Sequence, residues 1–293
     1  MTFPRTLLLG TVLAAAALPA VLAADLRLRA STTWAENIGR SSSPADWHDT
    51  LVGEASVSVS LGRQLASGLT AGLTAEATVL ASPRFERLGF ATAGTRAQLQ
   101  HKFGLGPLAP VVQASAGIAV REARISGDDG YSTSASLGLA KRFTETWRAR
   151  VEGDWQQHYA ASEAFDTHSQ RLIGELAWDF HPRWRATYGY GRQWADFTAT
   201  ASQGVWSRAL SGGLGATIAG YYNTVPTFVT DAYRPGWTTY RVEGEAELWW
   251  LELSPALSEQ TSLSLRYDSV FTKNIIHVKY RQDLWSLSVL HAF

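Results

Sequence analysis

The sequence predicts an all-β chain that closes as a single antiparallel, up-and-down transmembrane β-barrel of about fourteen strands, with twelve as the alternative count. Three observations predict it. From residue 25 to the end, segments of about ten residues alternate apolar with polar positions and are separated by turn chemistry. Twelve Trp, ten Tyr and eleven Phe stand beside a single Met, and Trp and Tyr are the residues that favour membrane–water interfaces. Charges of both signs recur at period two between the apolar positions, an arrangement that hydrocarbon on both faces would not tolerate.

Residues 1–23 come first and are set apart from the fold. Arg5 supplies a positive charge, residues 6–22 are apolar and Ala-rich, and Val21, Leu22 and Ala23 offer a cleavage site, which together read as a secretory signal peptide. The barrel domain is then 24–293. After Asp25 no apolar run is long enough to cross a bilayer as a helix, and the mean hydropathy is −0.10. The absence of cysteine excludes a lipid-anchoring thiol and a disulfide framework. With 26 basic and 26 acidic residues the net charge is +0, which leaves no field to steer nucleic acid.

The strands follow in order. Leu26, Leu28, Ala30, Thr32 and Trp34 make the first apolar face, and a polar loop spans 36–49. Ala55, Val57, Val59 and Leu61 make the second; Leu69, Ala71, Leu73, Ala75, Ala77 and Val79 make the third. A charged loop covers 83–89. Ala93, Thr95, Ala97 and Leu99 give the fourth, Val112 to Val120 the fifth, and Thr133 to Leu139 the sixth. Trp147, Ala149, Val151, Trp155 and Tyr159 form the seventh, and Leu172, Leu176, Trp178 and Phe180 the eighth. Further strands are expected over 184–192, 197–210, 214–223, 238–253, 261–271 and 275–293, with 211–213 as a short turn and a β-bulge near Leu284. If 206–222 is one strand instead, neighbours merge and the count falls to twelve.

Aromatics mark one rim. Phe103, Phe143, Phe180 and Phe293 close downgoing strands, while Trp147 and Trp184 open the strands that follow, as an aromatic girdle requires. Short turns at that rim, 144–146 and 181–183, alternate with longer loops opposite, 36–49, 161–169 and 224–237. The last ten residues place Trp285, Leu287, Val289 and Phe293 on one face. This ending resembles the C-terminal signature of Gram-negative outer-membrane β-barrel proteins, with His291 where an aromatic is more usual. The resemblance is to the general porin-like class. It implies residence in the outer membrane after export, with outer-membrane lipid and lipopolysaccharide as surroundings. It also implies that the barrel-assembly machinery reads Trp285, Leu287, Val289 and Phe293, and it implies no cofactor.

If the apolar positions face lipid, the interleaved ones face the lumen. These are Arg96, Arg148, Arg150, Glu152, Asp154, Glu175, Arg185, Arg241, Glu243, Glu245, Glu247 and Arg266. They line either a water-filled passage that selects solutes or an interior closed by ion pairs. The reading that follows is a passive, porin-like channel for small hydrophilic solutes. The alternative is a non-transporting structural or surface-interaction barrel.

A barrel hydrolase is the third reading. Asp166 and His168 have the spacing of the Asp-x-His pair of omptin-like proteases, with Asp128 and Asp129 as candidate acids, although these are adjacent rather than one residue apart. Ser41, Ser42, Ser43 and His48 lie in a loop, and Ser288 with His291 loosely echoes a barrel deacylase. Seven scattered His and no Cys give no metal-ligand spacing, and no phosphate-binding glycine loop is present, so no catalytic or metal residue is expected.

Overall fold

The computed structural model describes residues 24–293; the expected signal peptide lies outside the described residues. Alternation and β-branched or aromatic content produce strands β1 (Ala24–Ala35), β2 (Thr50–Ala66), β3 (Leu69–Ala81), β4 (Phe90–Lys102), β5 (Val111–Ala123) and β6 (Gly130–Arg142). They continue as β7 (Trp147–Ala160), β8 (Thr167–His181) and β9 (Trp184–Ala201). Two helices follow, α1 (Gln203–Leu210) and α2 (Ala216–Tyr222), then β10 (Thr227–Thr230), β11 (Trp237–Pro255), β12 (Thr261–Asn274) and β13 (Lys279–Ala292).

From β1 to β9 and from β10 to β13 each strand pairs antiparallel with the next, β9 pairs with β11, and β13 returns to β1 with Trp285 opposite Trp34 and His291 opposite Leu28. The result is a closed ring of twelve strands, the lower of the two expected counts. β10 stands outside the ring and adds to the upper end of β11, Thr227 facing Tyr240.

The difference from fourteen lies in residues 202–236. Strands expected over 197–210 and 214–223 are instead the end of β9 and two helices. Ser202 caps α1 by accepting a hydrogen bond from the Val205 backbone N–H, and Val205, Trp206, Ala209 and Leu210 then share a stripe at helical spacing. Residues 211–213 join the two helices at the long-loop end and are not a turn at the opposite rim. Nor is there a bulge near Leu284. β13 begins at Lys279 after a tight turn in which His277 takes a φ of 68°, and its register with β12 is unbroken from Lys273–Lys279 to Thr261–His291.

Closure sorts every side chain onto one of two faces. Leu28, Leu73, Leu137, Leu172, Leu265 and Leu287 lie on the outer face and are exposed. A band of aromatics surrounds the short-turn rim: Trp147 stacks on Trp178 with centroids 5.5 Å apart, Trp178 meets Phe180 at 5.3 Å, and Phe180 meets Trp184 at 6.3 Å. Phe103, Phe143 and Phe293 are exposed at the same rim. A second band lies higher on β9–β13 and β1, where Trp249 meets Tyr267 at 5.2 Å, Tyr267 meets Trp285 at 4.7 Å, and Tyr190 and Trp34 continue the row. Two such bands bounding an apolar zone are what a bilayer-spanning barrel presents to lipid.

The inner face is filled unevenly. Trp250 points inward from β11 and lies flat over Gly189 of β9, where an added Cβ would meet the indole at 2.0 Å. A larger residue at 189 must push the indole off its seat, since packed interiors yield little to added volume. Gly189→Val is therefore expected to destabilise the barrel by about 1–3 kcal/mol, read as a lower midpoint in reversible urea unfolding of refolded protein. An unchanged midpoint would show that Trp250 has another place to go.

Candidate solute pathway and the segment that crosses it

Residues 202–236 rise from the gap between β9 and β11. In the ring, six strands lie on either side between this gap and the β3–β4 loop, so the two are diametrically opposed. Yet they touch. Arg87 of the β3–β4 loop bridges Asp231 at 3.4 Å, and the ring of Phe85 meets Tyr233 edge-on at 5.0 Å. The segment therefore crosses the whole mouth. Along the way Phe228 meets Phe165 at 5.6 Å and the Ser202 backbone N–H donates to Asp46 at 2.7 Å; just beyond the segment, Arg241 of β11 donates to the Asp166 carbonyl at 2.6 Å. Loops from three hairpins, β1–β2, β3–β4 and β7–β8, are thus tied to one strap.

The helices sit against the inner wall. Ala195, Phe197 and Ala199 of β9, Tyr240, Val242 and Ala246 of β11 and Tyr280 of β13 form an apolar cluster with Ala209 and Tyr222, against which Val205, Trp206 and Ile218 pack. Trp206 stacks on Tyr240 at 4.9 Å, and Tyr222 shares a hydrogen bond of 3.0 Å with Tyr280. Burial of these groups is non-directional; the hydroxyl bond fixes the depth.

The opposite wall stays polar and open. A cavity of about 570 Å³ is lined by the inner faces of β3–β8, among them Glu76, Arg96, Ser134, Glu152, Asp154 and Arg171. Above it a cavity of about 430 Å³ lies beneath the strap, lined by Arg40, Arg87, Asp128, His158, Phe197 and Tyr233 among others. Phe90, Arg121 and Gln156 line both, so the two spaces adjoin there. There Asp128 receives Arg121 at 3.2 Å on both oxygens and stands 3.2 Å from His158 Nε2.

Of the charged residues read as lumen-facing, Arg96, Arg148, Arg150, Glu152, Asp154, Glu175, Arg185 and Arg266 lie on the inner face. Many are paired: Arg150 with Glu152 and with Glu175 at 3.8 Å, Arg171 with Asp154 at 2.9 Å, Arg185 with Asp179 at 2.6 Å, and Arg266 with Glu252 at 3.7 Å. Arg241, Glu243, Glu245 and Glu247 are not among them. They share the outer face with Trp249 and Leu251, since Leu251 stands opposite Tyr188 and Tyr267. The facing of these acids against Arg148 and Arg150 across the lumen is therefore excluded. The acids lie beyond the upper aromatic band, where Glu247 pairs with Arg192 at 2.7 Å and Glu245 stands opposite Lys273. Charge near the interface costs little, so this placement is tolerated.

Arg121 and Gln156 were legible as inward positions on their strands. Arg40, Arg87, Phe165 and Tyr233 belong to loops, where no alternation signals a face. The hydrolase candidates are scattered. Asp166 takes a hydrogen bond from Gln157, while His168 stands 3.5 Å from Asp196. Ser288 faces inward and His291 outward, bonded to Thr261 at 2.8 Å.

No protein-family model and no curated protein sequence matches the chain. Among solved structures, an outer membrane channel from Pseudomonas putida F1 superposes with a TM-score of 0.53 at 11% identity, covering 94% of this chain and 97% of that one. The chain shares the β-barrel fold of that protein. Lesser likenesses include outer membrane phospholipase A from Escherichia coli (TM-score 0.45, 8% identity, 90% and 92% covered) and the KdgM porin in complex with disordered oligogalacturonate (0.44, 9%, 92% and 99%).

His48 fastens the strap to the β1–β2 loop. It stacks on Trp237 at 4.8 Å and meets Tyr233 at 5.4 Å and Phe85 at 5.5 Å, with Nε2 buried and unpartnered. Desolvation, then the nearby Arg84 and Arg234, hold its pKa below the ordinary histidine value. The folded strap thus favours neutral imidazole. Its contribution is complete above the ordinary value of about 6.5 and is lost as pH falls through the lower folded value. Hydrogen exchange over 228–237, corrected for intrinsic rate, is expected to accelerate on acidification in the parent and not in His48→Phe. Equal acceleration in both would remove His48 from the account.

Proposed function

We propose that this chain is an outer-membrane channel for small hydrophilic solutes, exported with loss of residues 1–23. What carries the reading is the pair of cavities that share Phe90, Arg121 and Gln156, taken here as the neck of one path along the β3–β8 wall, while the helices are held against β9–β13. A ring of twelve strands lies between the eight that side chains can fill and the sixteen or more of wide porins, so a partly occluded aqueous path suits its size. Charged walls paired within themselves favour modest selectivity over strong exclusion of one sign. The outward Trp285, Leu287, Val289 and Phe293 on the closing strand suit recognition by barrel-assembly machinery.

One observation favours the second reading, a non-transporting barrel: the strap is fastened to three loops across the mouth. Planar-bilayer recording separates the two. The channel predicts conductance steps from refolded protein, a fall of roughly half in Gln156→Trp because the neck narrows, and larger steps when 203–226 are replaced by a short Gly/Ser linker. Silence in the parent with conduction only after that replacement would establish the closed barrel.

A further inference from the structure

Arg40 is placed with unusual care. It takes a φ of 48°, as does nearby Asn37 at 49°, a left-handed conformation that costs a non-glycine residue energy and is retained only where the surroundings enforce it. The enforcement is visible. Asn37 donates to the carbonyls of Ser41 and Arg281 at 3.0 Å each, accepts from the Ser41 N–H at 2.8 Å, and its carbonyl takes Gln282 Nε2 at 3.0 Å. Gln282 Oε1 in turn accepts from Arg40 Nε at 2.8 Å. The guanidinium is left over the Phe197 ring, 5.8 Å from its centroid, lining the cavity beneath the strap.

The other charges of this cavity are satisfied. Arg121 is held by Asp128, Arg87 by Asp231, and Asp196 accepts from the His168 backbone N–H at 3.2 Å. Arg40 has no carboxylate within bridging distance among the described residues, and its two terminal nitrogens make no hydrogen bond there. Enclosure by protein pushes its pKa down from the ordinary arginine value. The guanidinium is half-buried with its fork unpaired toward the cavity, the arrangement an incoming carboxylate would complete.

We propose that the cavity beneath the strap binds a small organic monocarboxylate, its two oxygens on the Nη fork of Arg40 and its body against the ring of Phe197. The fork matches two coplanar oxygens. One uncompensated cation balances one negative charge, and a dianion would leave its second charge near Asp128 and Asp196. A volume of about 430 Å³ suits a small solute. The site would sit at the outer entrance of the path and so rests on the channel reading.

The test uses the refolded full-length barrel in detergent, with binding followed by calorimetry. Benzoate is the monocarboxylate, benzamide its neutral isostere, and inorganic phosphate the anion without an organic body. Benzoate is expected to bind and benzamide not. Arg40→Gln is expected to weaken benzoate at least about tenfold, the loss that follows truncation of a charged partner. Because Arg40→Gln releases Gln282, a second variant leaves the loop untouched: Gln193→Glu, on the same face of β9 as Phe197, sets a carboxylate in the same cavity and is expected to weaken benzoate likewise. Equal binding of benzoate and benzamide, no benzoate binding, unchanged affinity in both variants, or phosphate binding as tight as benzoate would each overturn the proposal. Conductance of the same preparation keeps the two readings apart. Conduction without benzoate binding retires the site alone, and binding without conduction retires the channel alone.

Discussion

Ring closure is the constraint from which the rest follows. With β13 paired to β1 and β9 to β11, no strand edge in the ring is left for solvent or lipid, and each strand's backbone groups bond to two neighbours. Closure also removes freedom of phase. Once Leu28 is set against Val57, and Val57 against Ala77, the face of every later side chain is decided by register and not by its own polarity. That is how Glu243, Glu245 and Glu247 come to stand outside while Val242, Ala246, Leu248 and Trp250 stand inside.

This inversion has a cause in the strap. A barrel that holds only water needs a polar inner wall, and β3–β8 supply one. Where α1 and α2 pack, the inner wall must be apolar to receive them, and Ala195, Phe197, Ala199 and Val242 are the result. The outer face at the same height lies above the Trp249–Tyr267–Trp285 row, so it is free to carry charge. Both faces reverse together because one section of the barrel is both above the lipid and around a plug.

The same section is where sequence reading fails. Over β1–β8, outward Leu28, Leu73, Leu137 and Leu172 alternate with inward Ser, Thr, Arg and Glu, and the pattern alone assigns their faces. On β11 the pattern Val242, Ala246, Leu248, Trp250 against three Glu points to the opposite assignment, since alternation reports polarity and not which side lipid occupies. Helices α1 and α2 were obscured for a related reason. Their short stripes, Val205 to Leu210 and Ile218 to Tyr222, are too brief for a helical period to outweigh the β-rich context, and the Ser202 cap is a weak signal by itself. Arg40 was illegible in principle, because a cation in a loop gains its meaning only from the Asn37–Gln282 network, whose members are more than two hundred residues apart.

The two halves of the lumen therefore do different work. The β9–β13 half spends its interior on fastening: aromatic contacts and the Tyr222–Tyr280 bond hold the helices to the wall, and they do so without drawing on the charged groups across the barrel. The β3–β8 half keeps its hydroxyls and ion pairs at the wall, where Arg171–Asp154 and Arg150–Glu175 link neighbouring strands. A plug held by ion pairs would have to desolvate both partners and would fill the polar side as well. Apolar fastening avoids both costs. It lets a barrel of intermediate girth carry a strap across its mouth and still retain a polar wall, with Phe90, Arg121 and Gln156 where the two spaces adjoin.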